Sequence, residues 1–192
     1  MGYHTAFPDA EIVGVDVAPQ PDYPFTFVQA DARTHNLKGY DLIHASPPCQ
    51  SYSSMSNRHG SLQPELVYEI RERMPNGVPS VIENVVGASE HMDTTLMLCG
   101  TMFDLPTRRH RLFECSFLVW QPQCGAHTRD LIPVYGKPDG RRLYTRSDGS
   151  QLRAWRSVEQ GQRALGISWT EDWHQIREAI PPSYTQYIGS QL

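Results

Sequence analysis

Four short apolar runs, each closed by a polar residue or followed by one, succeed one another along the first half of this 192-residue chain: Glu11–Asp16, Phe25–Asp31, Asp41–Ala45 and Ser80–Ile82. Each is rich in Val, Ile or Phe and too short for a self-sufficient helix, so each reads as a buried strand. Between the third and fourth, Leu66, Ile70 and Met74 recur at helical spacing, Pro64 suits a first turn, and Pro75-Asn76-Gly77 stops the helix. The succession strand, strand, strand, helix, strand predicts an α/β domain with a doubly wound, mostly parallel sheet. Leu112–Leu118 supplies a further strand and Ser157–Leu165 a helix. Pro182–Gln191 reads as a last helix that packs back on the sheet through Tyr184, Tyr187 and Ile188.

Open sheets of this kind build their sites outside the carboxyl ends of the strands. The third run leads directly into Ser46-Pro47-Pro48-Cys49-Gln50, where two prolines fix φ and forbid helix, so the Cys49 thiol is presented in one geometry. A cysteine after two prolines is in isolation more often a small turn residue than a nucleophile. Asp16 ends the first strand and Asp31 the second. In nucleotide-type folds such acids accept hydrogen bonds from ribose hydroxyls or an amino group, and otherwise they cap turns.

A chain of this length with 39% hydrophobic residues buries one good core. It has no apolar stretch of membrane-spanning length and no basic, apolar leader, so a cytoplasmic protein is expected. Cys49, Cys99, Cys115 and Cys124 form no C-x-x-C pair, which predicts reduced thiols. Cys124 and His127 have the spacing of half a metal site, but no second pair has suitable spacing, so no metal is assigned. The formal charge of −4 is unevenly spread. Arg108–Arg163 carries eleven Lys and Arg against five Asp and Glu, a balance of +6 that leaves −10 elsewhere. A basic segment on an acidic domain suits contact with phosphates, or is simply a solvated arginine-rich loop. From Trp120 to about Arg153 composition shifts to Pro, Gly, Arg, Asp and Ser, the mark of a loop-rich insertion. The division predicted is a main domain of residues 1–119 and 154–192 interrupted by 120–153.

Three further motifs follow the Pro-Pro-Cys loop: Glu83-Asn84-Val85, Arg108-Arg109-His110-Arg111, and Ala179-Ile180-Pro181-Pro182 with Ile188-Gly189. In this order they resemble the DNA cytosine-5 methyltransferase family, and its short phage-encoded members in particular, from about Val13 to Gly189. The family's elements are a Pro-Cys-Gln nucleophile loop, a Glu-Asn-Val strand end, a paired-arginine strand and a late Pro-containing helix start. The resemblance implies a monomer that takes S-adenosyl-L-methionine as cofactor and double-stranded DNA, with the target cytosine flipped out of the stack, as substrate. It implies Cys49 as nucleophile at cytosine C6, Glu83 at N3 and the exocyclic amine, and Arg109 and Arg111 on the base carbonyl and adjacent phosphate. Asp16, Val17, Asp31, Ala32, Pro47, Pro48 and Ala179 are then the cofactor-binding positions. Gln50, Ser51, Ser53 and Arg58, on the polar loop after the nucleophile, and Arg129, Arg141, Arg142 and Arg146, in the insertion, are the nucleic-acid-binding ones. His110 falls on the opposite strand face from Arg109 and Arg111 and receives no role.

Two departures accompany the resemblance. The family begins with a strand and a Phe-x-Gly-x-Gly loop, whereas this chain begins at Met1-Gly2-Tyr3-His4, inside the helix expected after that loop, so a sheet lacking its first strand is predicted. Glu178 stands where a carboxylate would repel the cofactor's own unless it points away. Alternatives to a DNA enzyme are a DNA-binding relative of weak or no activity and an RNA cytosine-5 methyltransferase.

Overall fold

The computed structural model describes residues 1–49, 52, 66–93, 96–125, 127, 131–136, 143–145, 151–153 and 157–192. The strands are β1 (Val13–Asp16), β2 (Thr26–Gln29), β3 (Ile43–Ala45), β4 (Ser80–Asn84), β5 (Leu96–Leu98), β6 (Arg111–Cys115), β7 (Leu143–Thr145) and β8 (Gln151–Arg153). The helices are α1 (Gly2–Ala6), α2 (Leu66–Arg73), α3 (Val158–Leu165), α4 (Trp173–Glu178) and α5 (Pro182–Gly189). Local chemistry sets several of these boundaries. Ser157 caps α3 by accepting from the Gln160 amide while the Gln160 side chain accepts from the Ser157 amide, and Gly166 ends the helix at φ +66°. Asp172 caps α4, and α5 starts on Pro182.

The sheet departs from the mostly parallel arrangement expected. β1 and β2 form a parallel pair of their own, and β3-β4-β6-β5 form a second, mixed sheet. There β3 runs parallel to β4, but β6 is antiparallel to both β4 and β5. The connection explains the last pairing. Only a 3₁₀ turn (Gly100–Phe103) and loop join β5 to β6, with no α-helix of the kind that usually carries the chain across a sheet face to a parallel neighbour. β7 and β8 form a separate antiparallel pair.

Alternate residues of the four-stranded sheet feed cores on its two faces. Val81 and Phe113 join Leu96, Leu98, Tyr184 and Ile188 on one face, under α5. Ile82 and Leu112 join Val67, Ile70, Ala88 and Met92 on the other, under α2 and a 3₁₀ helix (Val86–His91). That two-sided burial is the property an α/β sheet requires. Tyr187 is partly buried against the first of these cores, so all three side chains foreseen for the last helix reach the sheet. A third cluster joins Ile132 and Val134 to α3, α4 and Trp173.

Arg71 of α2 locks onto β6 through a two-pronged pair with Glu114, both bonds 2.6 Å, while also donating to the His91 carbonyl. α1 packs on α5 at Gly2, where a Cβ would overlap the Pro182 carbonyl oxygen, so only glycine lets the two backbones meet. Because Ile188 is fully buried, Ile188→Ala is expected to lower stability by about 2–5 kcal/mol, read from the urea midpoint at unchanged slope.

Candidate active site

Parallel register aligns Ala45 with Ile82, so β3 and β4 end side by side and hand on to the Ser46–Cys49 loop and to Glu83-Asn84. Asn84 ties the two together: its side-chain amide donates to the Pro47 carbonyl at 3.1 Å and its Oδ1 accepts from the Val85 amide at 2.9 Å. Asn84 is fully buried, so those bonds are protected from water and hold the cysteine loop against β4. On the far side of that loop the Tyr52 amide donates to the Cys49 carbonyl at 3.0 Å. Gly87 leaves room for it, since a Cβ there would overlap the Tyr52 carbonyl. Cys49 itself is half-buried.

Glu83 is buried and faces Arg111, whose Nε lies 3.0 Å from Glu83 Oε1. Burial pushes the Glu83 carboxyl above the ordinary range, against the opposing pull of Arg111, a hydrogen bond from Ser46 and the nearby charge of Arg109. Arg109 is anchored by backbone carbonyls, donating to Arg177 at 2.6 Å and Val134 at 3.3 Å, while its own carbonyl accepts from Tyr184 Oη at 2.8 Å. Burial lowers the Arg109 guanidinium, which nevertheless stays charged at neutral pH. Its Nε is buried and finds no partner among the described residues. Cys49, Glu83, Arg109 and Arg111 are thus brought to one end of the sheet, with Arg109 near enough to Cys49 to interact with it electrostatically.

A hydrogen-bonded chain invisible in the motifs leads to the same carboxylate. Tyr3 Oη lies 2.7 Å from His44 Nδ1, His44 Nε2 lies 3.2 Å from Ser46 Oγ, and Ser46 bonds to Glu83. Enclosure between Tyr3 and Phe113 lowers His44 to about 4. The native histidine is therefore neutral where an unfolded one, near 6.5, takes a proton. Its contribution to stability is full above about pH 6.5 and is lost as pH falls towards 4, amounting to at most about 3 kcal/mol. Urea midpoints at pH 7 and pH 5 should differ less in His44→Gln than in the unaltered chain.

Next to the cysteine loop opens a cleft of about 920 Å³ between the β1–β2 pair and β3, within the range of small-molecule sites. Asp16, Val17, Asp31, Ala32, Pro47 and Pro48 line it, so six of the seven expected cofactor positions converge. The Asp16 carboxylate accepts from the Ala18 amide (2.8 Å) and from Gln20 Nε2 (3.3 Å). Asp31 pairs with Arg33 at 2.6 Å, which holds its carboxyl below the usual range, and both acids keep acceptor capacity towards the cleft. Ala179, the seventh, is not on the cleft; it ends α4 against the third core cluster. Glu178 pairs with His174 and Arg177 on the surface. Arg73 also borders the cleft, its Nε without a partner among the described residues, and neither it nor His44 carries a motif that the sequence would disclose. Gln50, Ser51, Ser53, Arg58, Arg129, Arg141, Arg142 and Arg146 lie outside the described residues.

Behind the arginine strand a second group of side chains gathers. The register Leu98↔Arg111 sets Cys99 beside His110, and these two meet Cys124 and His127, with all four ligand-type atoms within 4.8 Å of one another. Cys124 and His127, to which spacing gave no second pair, receive one across the antiparallel strands.

The arrangement is a mixed α/β fold. It is similar to the crystal structure of the S. pombe Dnmt2 methyltransferase, with a TM-score of 0.60 at 15% identity over 100% of this chain and 94% of that one. No family model matches the sequence, and no curated protein matches it. No helix among the described residues is long and apolar enough to cross a membrane.

Proposed function

We propose that this chain is a cytosine-5 methyltransferase that acts on DNA through a covalent Cys49 adduct, with S-adenosylmethionine in the cleft beside β1 and β3. The observation that carries the reading is the bond from Asn84 to Pro47, which fixes the nucleophile loop beside the buried Glu83–Arg111 pair at the edge of that cleft. The cleft suits the cofactor: its volume is adequate, Asp16 and Asp31 offer acceptors for hydroxyl and amino groups, and Pro47 and Pro48 give an apolar wall. Bound there, S-adenosylmethionine supplies an electrophilic methyl group.

The chain's residues then account for the activation of cytosine, whose C5 is a poor nucleophile. The Cys49 thiolate adds to C6 and makes an enamine of the C5 side of the ring. Glu83, its carboxyl raised by burial, donates to N3 as negative charge gathers there, and Arg111 holds the carboxylate that results. Arg109, whose charge is felt at Cys49, helps to offset the negative charge that gathers on the base. Once C5 has taken the methyl, the C5 proton passes to water, Cys49 leaves C6 as the thiolate, and N3 returns its proton to Glu83, which restores the ring and the enzyme. The basic 120–153 segment is the natural source of phosphate contacts.

A second reading is a DNA-binding relative without transfer. It is favoured by one observation: no glycine is among the described residues lining the cleft, so no backbone there approaches a ligand as a glycine-rich turn does. Transfer of labelled methyl from S-adenosylmethionine to DNA and to RNA, by the chain and by Cys49→Ala, separates the readings. Label in DNA that Cys49→Ala abolishes supports the proposal, and label in RNA alone transfers the same chemistry to an RNA substrate. DNA binding without label in either acid leaves the second reading.

A further inference from the structure

The cluster behind β6 has chemistry that methyl transfer does not use. Cys99 Sγ and Cys124 Sγ each lie 3.3 Å from His127 Nε2, and Cys124 Sγ lies 3.8 Å from His110 Nε2. The two imidazole rings are 5.0 Å apart between centroids. One ring nitrogen has a single proton or a single lone pair, so His127 Nε2 can serve one thiol and not two. A shared cation serves all four. A zinc tetrahedron with bonds of about 2.3 Å to sulfur and about 2.0–2.1 Å to nitrogen separates its ligand atoms by roughly 3.3–3.8 Å, the spacing of these contacts.

We infer that Cys99, His110, Cys124 and His127 bind one Zn²⁺ as a closed, structural Cys₂His₂ site. Two thiols and two neutral imidazoles make the soft, four-ligand set that selects zinc, and they leave no open position for catalysis. The two thiol protons pass to solvent as the metal binds. One is the proton that Cys99 now donates to the Arg108 carbonyl at 2.9 Å, and Thr101 Oγ1, 3.2 Å away, is placed to donate to the thiolate that replaces it. The site ties Cys124 and His127 to Cys99 and His110, which adjoin the paired ends of β5 and β6 beside Arg109 and Arg111. It thereby couples the root of the basic segment to the sheet.

Elemental analysis of the chain purified without chelator should find one zinc per chain, lost in Cys124→Ser and in His127→Ala and kept in Cys49→Ser. Cobalt(II) in place of zinc should give the intense visible bands of a tetrahedral ion and a thiolate-to-cobalt charge-transfer band. This readout needs only the unaltered chain, so it holds even if the variants fail to fold. Zinc should also shield Cys99 and Cys124 from alkylation until a chelator is added, while Cys49 reacts throughout. A folded chain without zinc and without the cobalt spectrum would overturn the site. So would a Cys99–Cys124 disulfide in the chain kept under reducing conditions, or zinc retained in full by a folded Cys124→Ser.

Discussion

Cys49→Ala is expected to cut methyl transfer by roughly 10³-fold or more while leaving S-adenosylmethionine affinity within about threefold. The loss is large because, in the proposed mechanism, the thiol makes a bond that no neighbour can make, so without it the reaction reverts to direct attack by an unactivated C5. Affinity is spared because the cleft wall is built from Pro47 and Pro48, whereas Cys49 is not among its lining residues. The loop should hold its shape, since its anchors are the Asn84–Pro47 bond and the Tyr52 amide on the Cys49 carbonyl, neither of which involves the thiol. Titration calorimetry with the cofactor, beside single-turnover transfer, checks both halves. Equal loss of binding and of transfer would mean that the cysteine shapes the cleft instead of doing chemistry.

The second large effect belongs to the Glu83–Arg111 pair. Arg111→Ala leaves a buried carboxylate without its counter-ion and is expected to cost about 3–5 kcal/mol of stability near neutral pH. The sign of its pH dependence follows from Glu83. With the arginine gone, the native-state carboxyl rises further above its unfolded value, so the folded variant holds its proton more tightly than the unfolded chain does. The defect is therefore greatest at high pH and shrinks as pH falls through the raised value. Glu83→Gln combined with Arg111→Met removes both charges and should recover most of the stability, yet none of the transfer. Urea denaturation of the single and double variants at pH 5 and pH 8 measures this. A destabilisation that does not change with pH would deny the pair its electrostatic role.

The parts of this account that the sequence made legible are those written in contiguous residues. The Pro-Pro-Cys loop and Glu83-Asn84 each lie within a few positions, and strand-end logic places them at one end of a sheet; the paired arginines open β6 and reach that end because β6 runs antiparallel. Strands β1 to β4 could be read from short apolar runs, helix α2 from periodicity near 3.6, and α3 from the segment Ser157–Leu165. Four elements escaped. β5 is only three residues long, α4 only six, and the β7–β8 pair lies in a segment read as loop. The direction of β6 could not be read either, because its pairing is set by the helix-free connection from β5 and by partners remote in sequence. Long-range juxtaposition hid the rest. Tyr3 meets His44 across 41 residues, and Cys99 joins His127 across 28. The rule of strand alternation did put His110 away from Arg111; what it could not supply was the loop waiting on the other face.

The central claim, a covalent bond between Cys49 and cytosine C6, is tested most directly by trapping it. With 5-fluorocytosine in the DNA, C5 has no proton to lose after methylation, so Cys49 cannot be expelled and the complex should survive denaturation. The account predicts a cofactor-dependent, denaturant-stable protein–DNA adduct whose peptide map places the bond on Cys49, with none in Cys49→Ala. Absence of an adduct where label is transferred to unmodified DNA, or an adduct that persists in Cys49→Ala, would contradict it.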